Sequence, residues 1–354
     1  MNDVAFVHWL KAQGLFHYVE KYYPAFKNIF SDCLKLKKEH VLVVFDEGYP
    51  TRRCAAILAG CYVLAMKRLG ITFQLVKQTP KFAGEPADNL TVDKMFNIPG
   101  GNILILCLSG KLGSMKHLGK SFRKYIADKK HRFVSTSGLR DLETKYFTQL
   151  VQSIDVDYKD IQERGRLLKA KIDYADEMHI LTDKGTNLRI DIKGKQAISN
   201  DGNYAVKGGN IPSGEVYLAP RGKHVEGRIV IDGTIRHREG TTLVKKPVVL
   251  TVKGGEVVEI KGGEEAQLLE RTFQEVESRA KYPWGIRRVG EIGIGINKGA
   301  SLIPVTIVSE KTLGTAHVGI GSNAWFGGTV YAISHFDQVY KKPRIYLDKK
   351  LIEY

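Results

Sequence analysis

Five side chains in the last third of the chain have the chemistry of metal ligands: Glu215 in NIPSGEVYLAP, Glu291 in VGEIGIGIN, His317 in GTAHVGIG, and His335 with Asp337 in SHFD. Two imidazoles and three carboxylates are the donors with which a hydrolase holds a pair of divalent ions about 3.5–4 Å apart, one carboxylate bridging and a shared water acting as nucleophile. Taken singly, each residue has a bland reading. A lone histidine is more often a hydrogen-bonded core or surface group, and a lone glutamate is usually solvated.

Their settings raise these five above the rest. Glu215 follows Pro212, Ser213 and Gly214 and opens an apolar segment, so a sharp turn fixes the backbone that carries it. Gly293 and Gly295 beyond Glu291, and Gly319 and Gly321 beyond His317, strip bulk from two strand-like runs and leave room for close approach. A carboxylate in so apolar a run needs a cationic partner, and a metal ion is the simplest one. His335 and Asp337 alternate as H-x-D, so on a strand both point to one face. The glycine pairs do not match a dinucleotide fingerprint or a Walker loop, and no G-x-S-x-G elbow is present.

These residues need elements to hold them. From residue 41 to about 155, apolar runs alternate with amphipathic stretches: VLVVFD, then a helix over 52–69, then ITFQLVKQ, NILILCLS and HRFVST, with a crossover helix around Lys116 to Asp128. That alternation predicts an α/β N-terminal domain with a mostly parallel sheet. A charged helix over 157–174 follows. Beyond it, short β segments broken by glycine, a hairpin at Gly254 and Gly255, and one helix over 264–280 predict an α+β C-terminal metal-binding domain. The boundary is expected to divide residues 1–165 from 166–354.

Composition narrows the class. No window approaches a membrane span and the N-terminus lacks the pattern of a signal peptide, so a cytoplasmic protein is expected. Cys33, Cys54, Cys61 and Cys107 form no C-x-x-C pair and read as buried thiols. The net charge of +16 raises the question of nucleic acid, but the basic residues are dispersed and no recognition motif accompanies them. Neither a nucleic-acid nor a membrane partner is expected.

The four motif segments, in this order, resemble the aminopeptidase T family, dinuclear metallo-aminopeptidases also known as leucyl aminopeptidases. The resemblance spans about residues 160–350. It implies a hydrolase, a protease acting on the N-terminal residue of short peptides, a homodimer, and two divalent metal ions, zinc, cobalt or manganese. The ligands would be Glu215, Glu291, His317, His335 and Asp337, with Glu215 or Glu291 as the catalytic carboxylate. Two features depart from that pattern: Ala324 stands where peptidases of the family usually carry a tyrosine, and the segment between His317 and His335 is short. A branch with the same fold, the 2,5-dihydroxypyridine dioxygenases, holds a single non-haem iron and cleaves an aromatic ring. The chain is similar to that branch in these departures, while the full set of five ligands favours the dinuclear hydrolase.

Overall fold

The computed structural model describes residues 2–82, 84–115 and 121–354. The chain forms two compact units, one of residues 1–159 with 202–213 and the other of residues 160–201 with 214–354. The sequence suggests a single crossing from one to the other. The structure shows three, because Gly208–Asn210 returns to pair with Arg132–Thr136 in the first unit.

In the first unit, parallel strands lie side by side in the order Phe73–Lys77, Val41–Phe45, Ile103–Cys107, Arg132–Thr136, Gly208–Asn210. Val41–Phe45 and Ile103–Cys107 are buried throughout, as strands covered on both faces must be. Helix Cys54–Leu69 supplies much of that cover, with Cys54, Cys61 and nearly all its apolar residues buried. Gly70, in the left-handed region, ends it. All four cysteines are buried. Burial pushes the Cys54 thiol up to about 12, so it is inert. Of the expected crossover helix, Phe122–Lys129 is helical, while residues 116–120 lie outside the described residues.

The second unit contains two seven-stranded sheets, within each of which neighbouring strands pair antiparallel. One runs in the order Glu256–Lys261, Val248–Lys253, Val225–Ile231, Asn187–Asp191, Glu177–Leu181, Arg344–Leu347, Lys350–Leu351. Its hairpin turns at Gly254 and Gly255, whose φ values of 56° and 74° suit glycine. The other runs Gly240–Leu243, Thr234–His237, His335–Lys341, Thr315–Gly321, Val289–Gly295, Glu215–Leu218, Ile198–Asn200. One face of it carries Ile292, Val318, Ile320 and Tyr340, all buried. Helix Glu264–Arg279 contributes Phe273, whose ring centroid lies 6.2 Å from that of Phe336 on the same face. The opposite face carries the candidate ligands. Among the described residues, no helix is long and apolar enough to cross a membrane.

Candidate metal centre

Strand register brings the five residues together. Gly295 pairs with Glu215, Gly293 with both Tyr217 and His317, and Gly319 with both Glu291 and Asp337, while Gly321 pairs with His335. Each residue two places along a strand points to the same face, so every bulky ligand has a glycine opposite it. The glycines are cradles. A Cβ on Gly293 would lie 2.1 Å from Nε2 of His317, and one on Gly319 would lie 2.5 Å from Cε1 of His335. Glu291 gains its place through an irregularity in the pairing between Val289 and Glu291.

Glu291 is the hub. Its Oε1 lies 3.2 Å from Nε2 of His317 and its Oε2 lies 3.4 Å from Nε2 of His335. Nε2 of His335 is also 2.9 Å from Oδ1 of Asp337. On the far side of His317, Oε2 of Glu215 lies 3.6 Å from Nε2. His317 is fully buried, and Glu215 and Glu291 are each 6% exposed. The Nδ1 atom of His335 lies 2.8 Å from the carbonyl of Ser322. Donating there leaves Nε2 as the lone-pair nitrogen, the orientation that metal-binding imidazoles adopt.

Two residues that the sequence did not single out complete the cluster. Lys311, 1% exposed, places Nζ 2.5 Å from Oε1 of Glu215 and pairs also with Oε1 of Glu310. The same Glu215 oxygen accepts from Nδ2 of Asn200 at 3.1 Å. Gly295 makes the approach of Lys311 possible, since a Cβ there would lie 2.8 Å from the Lys311 carbonyl carbon. In the sequence, Glu310 and Lys311 read as an ordinary solvated pair in VSEKTLG. Nothing local marks them as buried.

The electrostatics follow from crowding charges out of water. Burial opposes the imidazolium of His317, but Glu291, Glu215 and Asp337 outweigh it and raise the group to about 9. His335 is likewise raised, burial being overcome by Asp337 and Glu291. Asp337 is held well below the usual carboxylate range: burial would raise it, but His335, His317 and Lys311 prevail. Glu291 is lowered too, its two histidine partners outweighing burial. Glu310 goes the other way, pushed to about 8 by burial that Lys311 only partly offsets, with Glu215 and Asp337 adding to the rise. In Lys311 the two carboxylates overcome burial and hold the ammonium firmly charged.

Three overlapping triplets offer donor atoms within 4.8 Å of one another: Glu215, Glu291 and His317; Glu291, His335 and Asp337; Glu310, His317 and Asp337. The donors are imidazole nitrogen and carboxylate oxygen without thiolate, a set suited to iron, zinc or manganese. Two atoms show a need for something more. Nδ1 of His317 is buried with no hydrogen-bond partner, and Oδ1 of Asp337 is buried without a well-aligned one despite its nearness to His335. Buried polar atoms are rarely left so. The residues fit a metal ion.

Beside this face stands an aromatic group. The ring of Trp325 lies 4.8 Å from that of His335, edge-on at 74°. Phe326 is 5.1 Å from Trp325, and Tyr217 is 5.3 Å from Phe326. Trp325 and Phe326 belong to the turn Ala324–Phe326, inside the short segment between His317 and His335. Ala324 opens that turn, and Tyr331 is 67% exposed.

Comparison with known proteins gives three findings. No curated protein sequence matches the chain. A solved 2,5-dihydroxypyridine dioxygenase from Pseudomonas putida KT2440 superposes with a TM-score of 0.72 at 16% identity, covering 94% of this chain and 95% of that one. Wild-type AmpT from Thermus thermophilus superposes with a TM-score of 0.55 at 13% identity over the same shares. Such identities establish the common fold. The family model of NicX, 2,5-dihydroxypyridine 5,6-dioxygenase, matches residues 155–353, a span that contains every residue of the cluster. The metallo-aminopeptidase reading, with its hydrolase and protease activity on peptides, is thereby corrected. Its physical source is plain: the reading rested on residue types and their order, and imidazole and carboxylate donors of this kind are compatible with either chemistry. Ala324 and the short segment between His317 and His335 were the departures that pointed toward the dioxygenase branch. From the match across more than half its length, the chain belongs to the 2,5-dihydroxypyridine 5,6-dioxygenase family.

Proposed function

We propose that this protein is an iron-dependent dioxygenase that opens the ring of a dihydroxylated aromatic substrate, of which 2,5-dihydroxypyridine is the first to test. The observation that carries the reading is the aromatic turn beside the ligand face, within a region matched by the family model. A bare metal centre does not require a row of rings at that place. A planar aromatic substrate can use one, because offset and edge-on ring contacts stabilise it by about 0.5–1.5 kcal/mol beyond the area buried.

In this reading Glu291, His335 and Asp337 would hold a single iron(II), with His317 reaching Glu291 from its other side. The bound iron would supply the redox centre for activating dioxygen and opening the ring. The remaining work belongs to the chain. Ser322 fixes the His335 ring through Nδ1. Trp325, Phe326 and Tyr217 would orient the substrate ring. Glu310, near half protonation at about pH 8, can hold or release a proton within the buried cluster.

The test is oxygen uptake by the purified, iron(II)-loaded protein with 2,5-dihydroxypyridine, followed beside the loss of substrate absorbance. One mole of dioxygen per mole of substrate is expected. Absence of uptake with this compound and with other dihydroxylated pyridines and benzenes would sink the reading. Trp325→Ala should raise KM roughly 3- to 10-fold while changing kcat less, the size of one lost ring contact.

A further inference from the structure

The cluster has the side chains for two cation positions. Glu291, His335 and Asp337 define one, and Glu215, Glu291 and His317 define the other, with Glu291 shared. The second already has a cation beside it. Lys311 Nζ lies 2.5 Å from Oε1 of Glu215 and also pairs with Glu310, and Asn200 takes a further hydrogen-bonding direction of that same Glu215 oxygen. Buried charges persist only when paired, and here the pairing is complete on the lysine side.

The geometry points to Lys311 as a tethered substitute for the second metal ion: its ammonium neutralises the Glu215 end of the cluster, so that the chain takes up one divalent ion and not two. This rests on the single-iron reading above and gives it a structural cause. An ion at the Glu215 position would have to share Glu215 with an ammonium held within hydrogen-bond distance, and two cations so close repel strongly in a buried site. Lys311 is buried, and its backbone is held in place. It leaves the turn after Thr306–Ser309, its amide donates to the Val308 carbonyl, and its own carbonyl accepts from Asn297 at 2.8 Å. The position is built into the backbone. Glu215, which its residue type marks as a metal ligand, is thereby reassigned as the partner that positions Lys311.

The experiment counts ions. The purified full chain is stripped with chelator, loaded separately with iron(II) under anaerobic conditions and with zinc, passed through a desalting column, and assayed for metal per chain by mass spectrometry. Wild type should hold one ion of either metal. Lys311→Met should hold two zinc ions, and Lys311→Arg, which keeps the charge, should remain at one. Circular dichroism and a thermal melt check that each variant is folded. If Lys311→Met is folded and still holds one ion, the assignment of Lys311 is overturned while the single-iron reading stands. If wild type itself holds two, the single-iron reading fails and the inference fails with it, whereas oxygen uptake with wild type at one ion keeps the two questions separate. Should Lys311→Met not fold, Glu215→Gln decides. A change in iron affinity under about threefold supports the inference, and a loss of about 10- to 100-fold, the range for groups that serve a metal site, overturns it by making Glu215 a ligand.

Discussion

The glycines decide more of this site than the ligands do. At Gly293 a single added methyl would lie 2.1 Å from Nε2 of His317, and that ring is fully buried among its neighbours. Gly293→Ala should therefore lower metal affinity by about 10- to 100-fold, measured by competition with a chromophoric chelator. Unchanged affinity would show that the ring relaxes without consequence. The affinity should also depend on pH in a definite direction. Without an ion, His317 keeps a proton up to about pH 9, and His335 is raised as well. A ligand imidazole must be neutral, so protons compete with the ion and affinity should climb from pH 6 to about 9. A pH-independent constant over that range would contradict the assignment of His335 to the ion and of His317 to its ligand Glu291, for which the imidazolium competes with the ion. The sequence made Glu215, Glu291 and His317 visible through their glycine neighbours, and His335 with Asp337 through their H-x-D alternation. It concealed Glu310 and Lys311, since an adjacent Glu-Lys pair looks the same whether water or protein surrounds it, and long-range packing alone makes that choice.

At the scale of strands, function depends on register. His317 and Glu291 stand on neighbouring strands, and a slip of one residue would turn either to the apolar face occupied by Ile292 and Val318. The irregularity between Val289 and Glu291 guards against that slip, and Gly290 allows it, because a Cβ there would lie 2.3 Å from the Gly321 carbonyl oxygen. Gly290→Val should cost about 1–3 kcal/mol, seen as a melting temperature several degrees lower, together with weaker metal binding. A melt lowered with metal affinity intact would mean that the irregularity serves stability only. Much of this level was legible. The expected strands VLVVFD and NILILCLS appear as Val41–Phe45 and Ile103–Cys107, and the expected helix over 264–280 as Glu264–Arg279. Gly208–Asn210 was not legible, because a three-residue edge strand of glycine and asparagine has no periodicity of its own and is strand only by virtue of its neighbour Arg132–Thr136.

For the whole molecule, the metal centre becomes a term in stability that changes with pH. With no ion, the cluster is held by imidazolium and carboxylate pairs, and the histidine groups have folded values above the ordinary one near 6.5. A raised group contributes its full stabilisation below its unfolded value and loses it as pH rises through its folded value. The metal-free protein should accordingly lose stability between about pH 6.5 and 9, the latter set by His317. Asp337 and Glu291 act in the opposite sense, their lowered values contributing above the unfolded carboxylate range and failing only under acid. Binding of an ion reverses the histidine trend, because the loaded site requires neutral imidazoles and no longer competes with protons once they have left. Thermal melts of chelated and loaded protein at pH 6, 7, 8 and 9 should show a gap in melting temperature that widens steadily toward pH 9. A gap of constant size would mean that proton release from His317 and His335 does not accompany binding, and would remove both from the ion's surroundings. The outcome bears on the proposed single-ion function as well as on the site, since both histidines face Glu291, a carboxylate that would hold the ion.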